Sequence, residues 1–287
     1  MEPNGCARSW AGRRRATLYV GAVDATEFLG LERTEDPLRF RLPVTPGICT
    51  GGNFLFGGAG LGAAVEALEI ASGRPLVWAT AQYLSFARPP AVLDLEVVVA
   101  VEGKSTTQAR VVARHGEAEI ITVNAALGSR PTELGGAWAE KPDVRPPSTS
   151  PHREFNNDIT GTISSRLDVR IAAGRRPRDL DGTPSADGRC ALWARMPDLL
   201  EMSAAALGVF GDFVPFGVSQ ATGLRAGGNS LDNTLRVARL VATEWVLLDI
   251  RIHAVAAGFA HGLVHLWAED GTLLATASQS AKVRVWR

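Results

Sequence analysis

The feature that most constrains the fold of this chain is an internal repeat. Residues 95–126 alternate between apolar and polar side chains. The Asp and Gly residues at the ends of this alternating pattern and at its reversals recur 155 residues later. The matching pairs are Asp94 with Asp249, Gly103 with Gly258, and Gly116 with Gly271. A period of two with glycine at the reversals is typical of antiparallel strands joined by tight turns. The sequence therefore predicts two similar units, each with three consecutive antiparallel strands.

Length, charge and cysteine content narrow the class of protein. The 287 residues suffice for two domains of ordinary size. The 30 basic and 30 acidic residues cancel, so charge does not indicate nucleic acid or a charged membrane as the main partner. Three widely spaced cysteines favour neither a disulfide framework nor a zinc site, and no apolar run approaches the roughly 18 residues of a membrane span. We expect a cytoplasmic protein without a metal.

The first unit is predicted to contain a strand, a helix and then further strands. Residues 39–44 read as a short strand, and a helix follows from about Gly57 to a stop at Gly73. This helix is apolar on nearly all sides and rich in glycine. It should therefore be buried, with its glycines allowing a layer of strands to approach closely.

The second unit repeats this order after a linker. Residues 132–158 are rich in proline and charge and predict a connecting segment. Partial strand patterns follow at 163–171 and 191–194. A second helix is predicted to begin at Pro197, and strands resume at Asn233.

A helix lying against a mostly antiparallel sheet is an α+β arrangement, here present twice. The predicted divisions are an N-terminal tail over 1–24, a first domain over 25–131, the linker over 132–158 and a second domain over 159–287. Each domain should have an antiparallel sheet wrapping a central helix. We expect the two sheets to pair edge to edge into one, because an open strand edge promotes aggregation.

Four segments then give the chain a specific resemblance. They are residues 51–68, YLSFARP at 83–89, NSLDNTLRVAR at 229–239 and DGTLLATASQ at 270–279. In this order they resemble the acyl-CoA thioesterase II family of double-hotdog proteins, across both domains but not the tail or linker. The resemblance implies a tandem hotdog fold and hydrolysis of a fatty or related acyl-CoA in lipid metabolism. It implies no dissociable cofactor, and it suggests a homo-oligomer.

The resemblance also implies a set of three catalytic residues, Asp212, Ser230 and Gln279. A carboxylate, a hydroxyl and an amide from separate elements can orient one water, with Asp212 as the general base. The residues around Asp212 are apolar. Partial desolvation should therefore raise the pKa of its carboxyl group, as a general base near neutral pH requires.

The repeat predicts that only the second domain carries this set. An offset of 151 residues places Leu61 opposite Asp212 and Ala79 opposite Ser230, and the offset of 155 places Asn124 opposite Gln279. The first domain would then serve as scaffold and substrate wall.

Other interpretations remain open at this point. Asp212 and Ser230 are also typical of turns, which often need no chemical explanation. A hotdog enoyl-CoA hydratase is a second candidate enzyme, weakened because no Asp-to-His pair lies at a helix start. A non-catalytic acyl-CoA or lipid-binding protein is a third, because one substitution can disable a water-orienting site. The chain departs from the commoner family pattern at Asn233, where His often stands, and at Arg236-Val237, where aromatic residues often stand.

Overall fold

The computed structural model describes residues 24–155, 158–197 and 202–286. Within these ranges the chain forms four α-helices and thirteen β-strands. The helices are α1 (Ala25–Leu29), α2 (Gly57–Ser72), α3 (Ala204–Phe210) and α4 (Val214–Thr222). The strands are β1 (Glu32–Arg33), β2 (Arg39–Pro43), β3 (Leu76–Tyr83), β4 (Val92–Glu102), β5 (Thr106–His115), β6 (Ala118–Gly128), β7 (Asp168–Ala173), β8 (Arg189–Arg195), β9 (Ala226–Ser230), β10 (Asp232–Val237), β11 (Val246–Ala256), β12 (Phe259–Ala268) and β13 (Leu273–Val285). The predicted tail lies outside these ranges except for Asp24, whose side chain caps α1.

The strands of both halves belong to one antiparallel sheet. Its order is β1-β2-β4-β5-β6-β3-β10-β13-β12-β11-β8-β7, and β9 also pairs with β13. The halves meet where β3 pairs with β10, so the expected edge-to-edge pairing is confirmed. The repeated triplets β4–β6 and β11–β13 are the three consecutive antiparallel strands predicted in each half.

Strand pairing shows which residues of the two halves are equivalent, and it corrects one predicted match. Thr80 of β3 pairs with Thr234 of β10, and these residues lie 154 positions apart. Thr80 pairs in turn with Asn124, whereas Thr234 pairs with Ser278. Asn124 therefore corresponds to Ser278, and the predicted match between Asn124 and Gln279 is wrong by one residue. Because side chains alternate along a strand, that slip moves Asn124 to the opposite face.

The same register identifies the first-half counterparts of two predicted site residues. Gln279 corresponds to Ala125, which is buried. Ser230 pairs with Ala281 as Leu76 pairs with Leu127, so Ser230 corresponds to Leu76 rather than to Ala79. The side chains of Ala125 and Leu76 are apolar. The first half therefore lacks the polar set, as predicted, although the corresponding residues are not the predicted ones.

Helix α2 begins at Gly57 and is capped at Gly73 as predicted. Its Gly60 faces Ile121 of β6, as expected for a close layer of strands, but two other glycines face a different neighbour. The helix packs on β3 to β6 and also against α3. A Cβ at Gly58 would lie 2.8 Å from Val209 O, and one at Gly62 would lie 2.9 Å from Ala205 O, both on α3. These two glycines thus allow a close helix–helix contact, whereas only a strand layer was expected.

The second helix differs from the prediction in its start and in its continuity. It begins at Ala204 rather than at Pro197, because the Ser203 hydroxyl caps it by accepting a hydrogen bond from Ala206 N at 3.1 Å. Residues 198–201, part of the predicted helix, lie outside the described ranges. The helix is interrupted after Phe210 and resumes as α4, with a proline in its first turn. Asp212 lies in this interruption.

Helix α4 packs against β8, β9 and β11 to β13. The linker has two parts. Residues 132–140 are exposed, whereas the segment after them lies along β7 and β8, where Trp193 Nε1 donates to Arg145 O at 2.7 Å. No helix in the described ranges has the length and apolar character needed to cross a membrane.

Candidate active site

The structure brings Asp212, Ser230 and Gln279 together from three elements. Asp212 lies between α3 and α4, Ser230 ends β9, and Gln279 lies within β13. The Ser230 hydroxyl donates to Asp212 Oδ1 at 3.0 Å, and Gln279 Nε2 donates to the same oxygen. Gln279 Nε2 also lies 3.0 Å from Ser230 Oγ. The three side chains therefore form a closed triangle of hydrogen bonds.

The orientation of the Gln279 amide is set by a backbone group of α4. Val214 N donates to Gln279 Oε1 at 3.2 Å, so the amide nitrogen is directed toward Asp212 and Ser230. Val214 is two residues after Asp212. The same short segment thus supplies the carboxylate and the backbone donor that orients its partner.

The first half contributes a donor that the sequence did not predict. Gly58 N, in the first turn of α2, donates to Asp212 Oδ2 at 2.7 Å. The amides of a first helical turn lack partners within the helix and favour a negative charge. A Cβ at Gly58 would lie 2.9 Å from Asp212 Cβ, so the approach requires glycine. The glycine pair at 57–58 is the signal in the sequence, but it does not by itself indicate a donor to Asp212.

Burial gives the Asp212 carboxyl group an unusual pKa. The residue is 7% exposed, and the adjacent Phe213 ring packs edge-on against Phe56 with centroids 6.2 Å apart. Desolvation raises the pKa of Asp212 to about 6, although the hydrogen bonds from Gln279, Ser230 and Gly58 act in the opposite direction. The rise agrees with the direction expected from the apolar neighbours in the sequence.

Two further polar residues, Tyr83 and Asn233, lie beside the carboxylate. Tyr83 ends β3, and the position of a Cβ at Gly57 is 2.7 Å from Asp212 Oδ2 and 3.1 Å from the Tyr83 hydroxyl oxygen. Asn233 of β10 is fully buried and close enough to the phenol to affect its pKa. Neither residue is among the predicted site residues. Tyr83 belongs to the half without the catalytic set, and the sequence marks Asn233 only as a departure from the family pattern.

Two surface depressions lie elsewhere. One, of about 760 Å³, is lined by residues 184–188, 221–222 and 251–255, and the other by residues 32–36 and 41. Neither is lined by Asp212, Ser230 or Gln279. Both are open to solvent, unlike the buried polar cluster around Asp212.

Comparison with known proteins identifies the class. The sequence profile of the acyl-CoA thioesterase C-terminal domain matches residues 142–283. A provisionally assigned thioesterase from Novosphingobium aromaticivorans is 35% identical, with 88% of this chain and 97% of that chain covered and a TM-score of 0.79. A protein of unknown function with a hotdog fold from Alicyclobacillus acidocaldarius is 19% identical, with 92% and 98% covered and a TM-score of 0.77.

The acyl-CoA thioesterase II TesB2 of Mycobacterium marinum is 21% identical, with 91% of this chain and 98% of that chain covered and a TM-score of 0.71. Comparison with curated proteins finds no match. The fold and the matched domain define a hotdog-fold thioesterase. The chain belongs to the acyl-CoA thioesterase family, so the resemblance seen in the four sequence segments is confirmed.

Proposed function

We propose that the protein hydrolyses the thioester of an acyl-CoA to a free acid and CoA, with a water activated by Asp212, whose carboxylate Ser230 and Gln279 hold in the orientation that positions this water. The observation that carries this proposal is the buried Asp212 carboxylate, which accepts hydrogen bonds from residues of two strands and a helix. Its pKa of about 6 leaves it ionised at neutral pH yet basic enough to accept a proton.

The hydrogen bonds indicate which oxygen acts as the base. Among the described residues, Asp212 Oδ1 accepts from two side chains, whereas Oδ2 accepts only from Gly58 N. A carboxylate oxygen has two acceptor sites, so Oδ2 keeps one for the water. Oδ2 takes a proton as the water oxygen bonds to the thioester carbon. The carbon–sulfur bond then breaks, and the proton passes to the CoA sulfur.

Exposed apolar side chains beside the cluster fit an acyl substrate. Leu84 follows Tyr83 and is 46% exposed, and Leu231 follows Ser230 and is 41% exposed. Tyr83 N donates to Leu231 O at 2.9 Å, so the two leucines lie near each other at one end of β3 and β10. Neighbouring exposed apolar side chains often mark a binding surface. We place the acyl chain there, leading to Asp212.

We further propose a tandem of two hotdog units, residues 25–131 and 159–287, joined by the linker 132–158. The repeated strand triplets and the central pairing of β3 with β10 support it, with α2 and α4 as the helices that the two parts of the sheet wrap. Such a tandem already provides within one chain the pairing that single hotdog domains make between two. Further two-fold association of the whole chain is part of this proposal, and a strict monomer in light scattering at micromolar concentration would contradict it.

The proposed activity is tested by a hydrolysis panel. Short, medium, long and aromatic acyl-CoAs are supplied to the full chain, and the released CoA thiol is detected. We expect turnover of at least one member, with the rate identifying the acyl class. Saturable binding of acyl-CoA without turnover of any member would favour the non-catalytic binding protein instead.

A further inference from the structure

Unpaired polar atoms lie beside the base. In the part of the chain that the structure describes, the Tyr83 hydroxyl and both polar side-chain atoms of Asn233 are buried without a hydrogen-bond partner. Native proteins pair the great majority of such atoms, so each exception needs an explanation. Trp267 Nε1 is in the same condition, but it lies in a separate cluster of apolar side chains and does not bear on this site.

Strand register places Tyr83 and Asn233 on one face of the sheet. Asn233 pairs with Ala81, and Tyr83 lies two residues further along β3, so the two side chains are diagonal neighbours across the junction of the halves. The Tyr83 hydroxyl and Asp212 Oδ2 both border the space beside Gly57, at 3.1 and 2.7 Å from the position of a Cβ there. They make no hydrogen bond to each other, and both are directed at the same space.

The chemistry of the two residues suits an oxygen that gains negative charge. Burial raises the pKa of the Tyr83 phenol well above its usual range, and the charge of Asp212 adds to this effect. The nearby Asn233 amide opposes the rise without making a hydrogen bond of normal geometry. Tyr83 therefore stays protonated while Asp212 is ionised. It can donate a hydrogen bond in the state in which the base is active.

We propose that Tyr83 and Asn233 are catalytic residues that donate hydrogen bonds to the thioester carbonyl oxygen and stabilise the oxyanion formed when water adds. This assignment rests on the hydrolysis proposed above. Asp212 and its two partners act on the water, whereas Tyr83 and Asn233 act on the other oxygen of the same carbon. Tyr83 comes from β3 of the first half, whereas Asn233 and the three residues that act on the water come from the second half, so the reaction draws on both halves.

The test compares Tyr83→Phe and Asn233→Leu with Thr234→Val, measuring kcat and KM on an acyl-CoA that the wild type hydrolyses. Tyr83→Phe removes one oxygen and should lower kcat by roughly 10² while changing KM less than threefold, as loss of one oxyanion donor does. Thr234 lies next to Asn233 on the opposite face of β10, so Thr234→Val should leave kcat unchanged. Asn233→Leu should also lower kcat.

Stability separates this role from a structural one. If the hydroxyl is kept for a ligand, Tyr83→Phe removes an unpaired buried group and should raise the melting temperature while lowering kcat. A lower melting temperature together with unchanged kcat would overturn the proposal. Tyr83→Phe retains the aromatic ring, so it remains a usable test if Asn233→Leu fails to fold.

Infrared spectroscopy detects the proposed hydrogen bond to the thioester carbonyl directly. Acyl-CoA labelled with ¹³C at the thioester carbonyl is bound to Asp212→Asn, and its infrared carbonyl band is recorded. We expect a shift to lower frequency relative to water, and a smaller shift in Asp212→Asn combined with Tyr83→Phe. Equal shifts in both variants would overturn the proposal and leave the hydrolysis intact. Absence of wild-type turnover on every acyl-CoA would instead overturn the hydrolysis and this assignment together.

Discussion

Asp212 combines two properties that usually oppose each other. Three donors stabilise its charge, yet burial disfavours that charge more strongly, so the pKa of the carboxyl group rises to about 6. An exposed carboxylate with the same donors would have a low pKa and would be a weak base. The apolar surroundings of the 209–214 segment therefore determine the basicity, and the donors determine the direction in which the carboxylate acts.

Activity should depend on pH through this group. Because the base must be ionised, kcat/KM should rise with pH through an apparent pKa near 6 and then level off. The measurement is the rate of thiol release between pH 4.5 and 8.5 on a single acyl-CoA. Ser230→Ala removes one donor that lowers the pKa, so its profile should move to higher pH. A profile that is flat below pH 6 would contradict the assignment of Asp212 as the base.

The stability of the folded protein should also depend on pH through Asp212, but it should fall, not rise, as the carboxyl group ionises. The folded-state pKa lies above the usual 3.8, so the contribution of Asp212 to stability is present below about pH 4 and is lost as pH rises through about 6. Asp212→Asn cannot ionise. It should therefore exceed the wild type in stability at pH 8, by at most about 3 kcal/mol for a shift of about two pKa units, and lose this advantage toward pH 4.

Urea unfolding at pH 4.5, 6 and 8 measures this difference. The gain should fall short of its limit because an asparagine amide cannot accept all the hydrogen bonds that the carboxylate accepts. Asp270→Asn is the matched control, since the backbone N–H of Thr272 lowers the pKa of that exposed carboxyl group. The control should show no gain at pH 8. A wild type that is more stable than Asp212→Asn at pH 8 would contradict the burial argument.

At the scale of elements, the contact between α2 and α3 holds the site together. Gly58 and Gly62 both face α3, and the end of α3 leads directly to Asp212. The close approach brings the first turn of α2 to the carboxylate. The interruption between α3 and α4 has the complementary role, because a continuous helix would make Val214 N bond within the helix rather than to Gln279.

Gly62→Ala tests this contact. Alanine favours a helix over glycine by about 1 kcal/mol, yet the new Cβ would lie 2.9 Å from Ala205 O, a backbone atom that cannot rotate away. We expect a net loss of about 1–3 kcal/mol, as for other overpacked positions, and a lower kcat because α2 is displaced from Asp212. Gly135→Ala, in open space, should change the unfolding free energy by less than about 0.5 kcal/mol. Unchanged stability in Gly62→Ala would show that α2 and α3 can move apart at little cost in free energy.

Local patterns predicted the elements with strong periodicity and missed those that depend on distant contacts. The strand triplets and α2 follow from alternation, apolar character and glycine, which are local properties. The true start of the second helix depends on capping by Ser203, and the one-residue error at Asn124 came from an offset that ignored strand pairing. Periodicity alone does not give the register between strands.

At the scale of the whole molecule, the candidate site draws on both halves of the repeat. Gly58 and Asp212 are 154 positions apart, and Tyr83 reaches the site from the half that was expected to be scaffold only. The family resemblance pointed to Asp212, Ser230 and Gln279, which the structure brings together. Gly58, Tyr83 and Asn233 lie in the segments that carry the resemblance, but it did not place them in the site, because their proximity arises only when α2 meets α3 and β3 pairs with β10.

The most direct test of the central claim is the turnover number of Asp212→Asn on an acyl-CoA that the wild type hydrolyses. We expect kcat to fall by roughly 10² to 10⁴ with acyl-CoA binding retained, as for loss of a positioned general base. Ser230→Ala and Gln279→Ala should each cost less, and adding both to Asp212→Asn should cost little more, because groups that orient one water act as a unit. Asn124→Ala, on an exposed position in β6, should match the wild type. If Asp212→Asn keeps wild-type turnover, the water is activated elsewhere and the account is wrong.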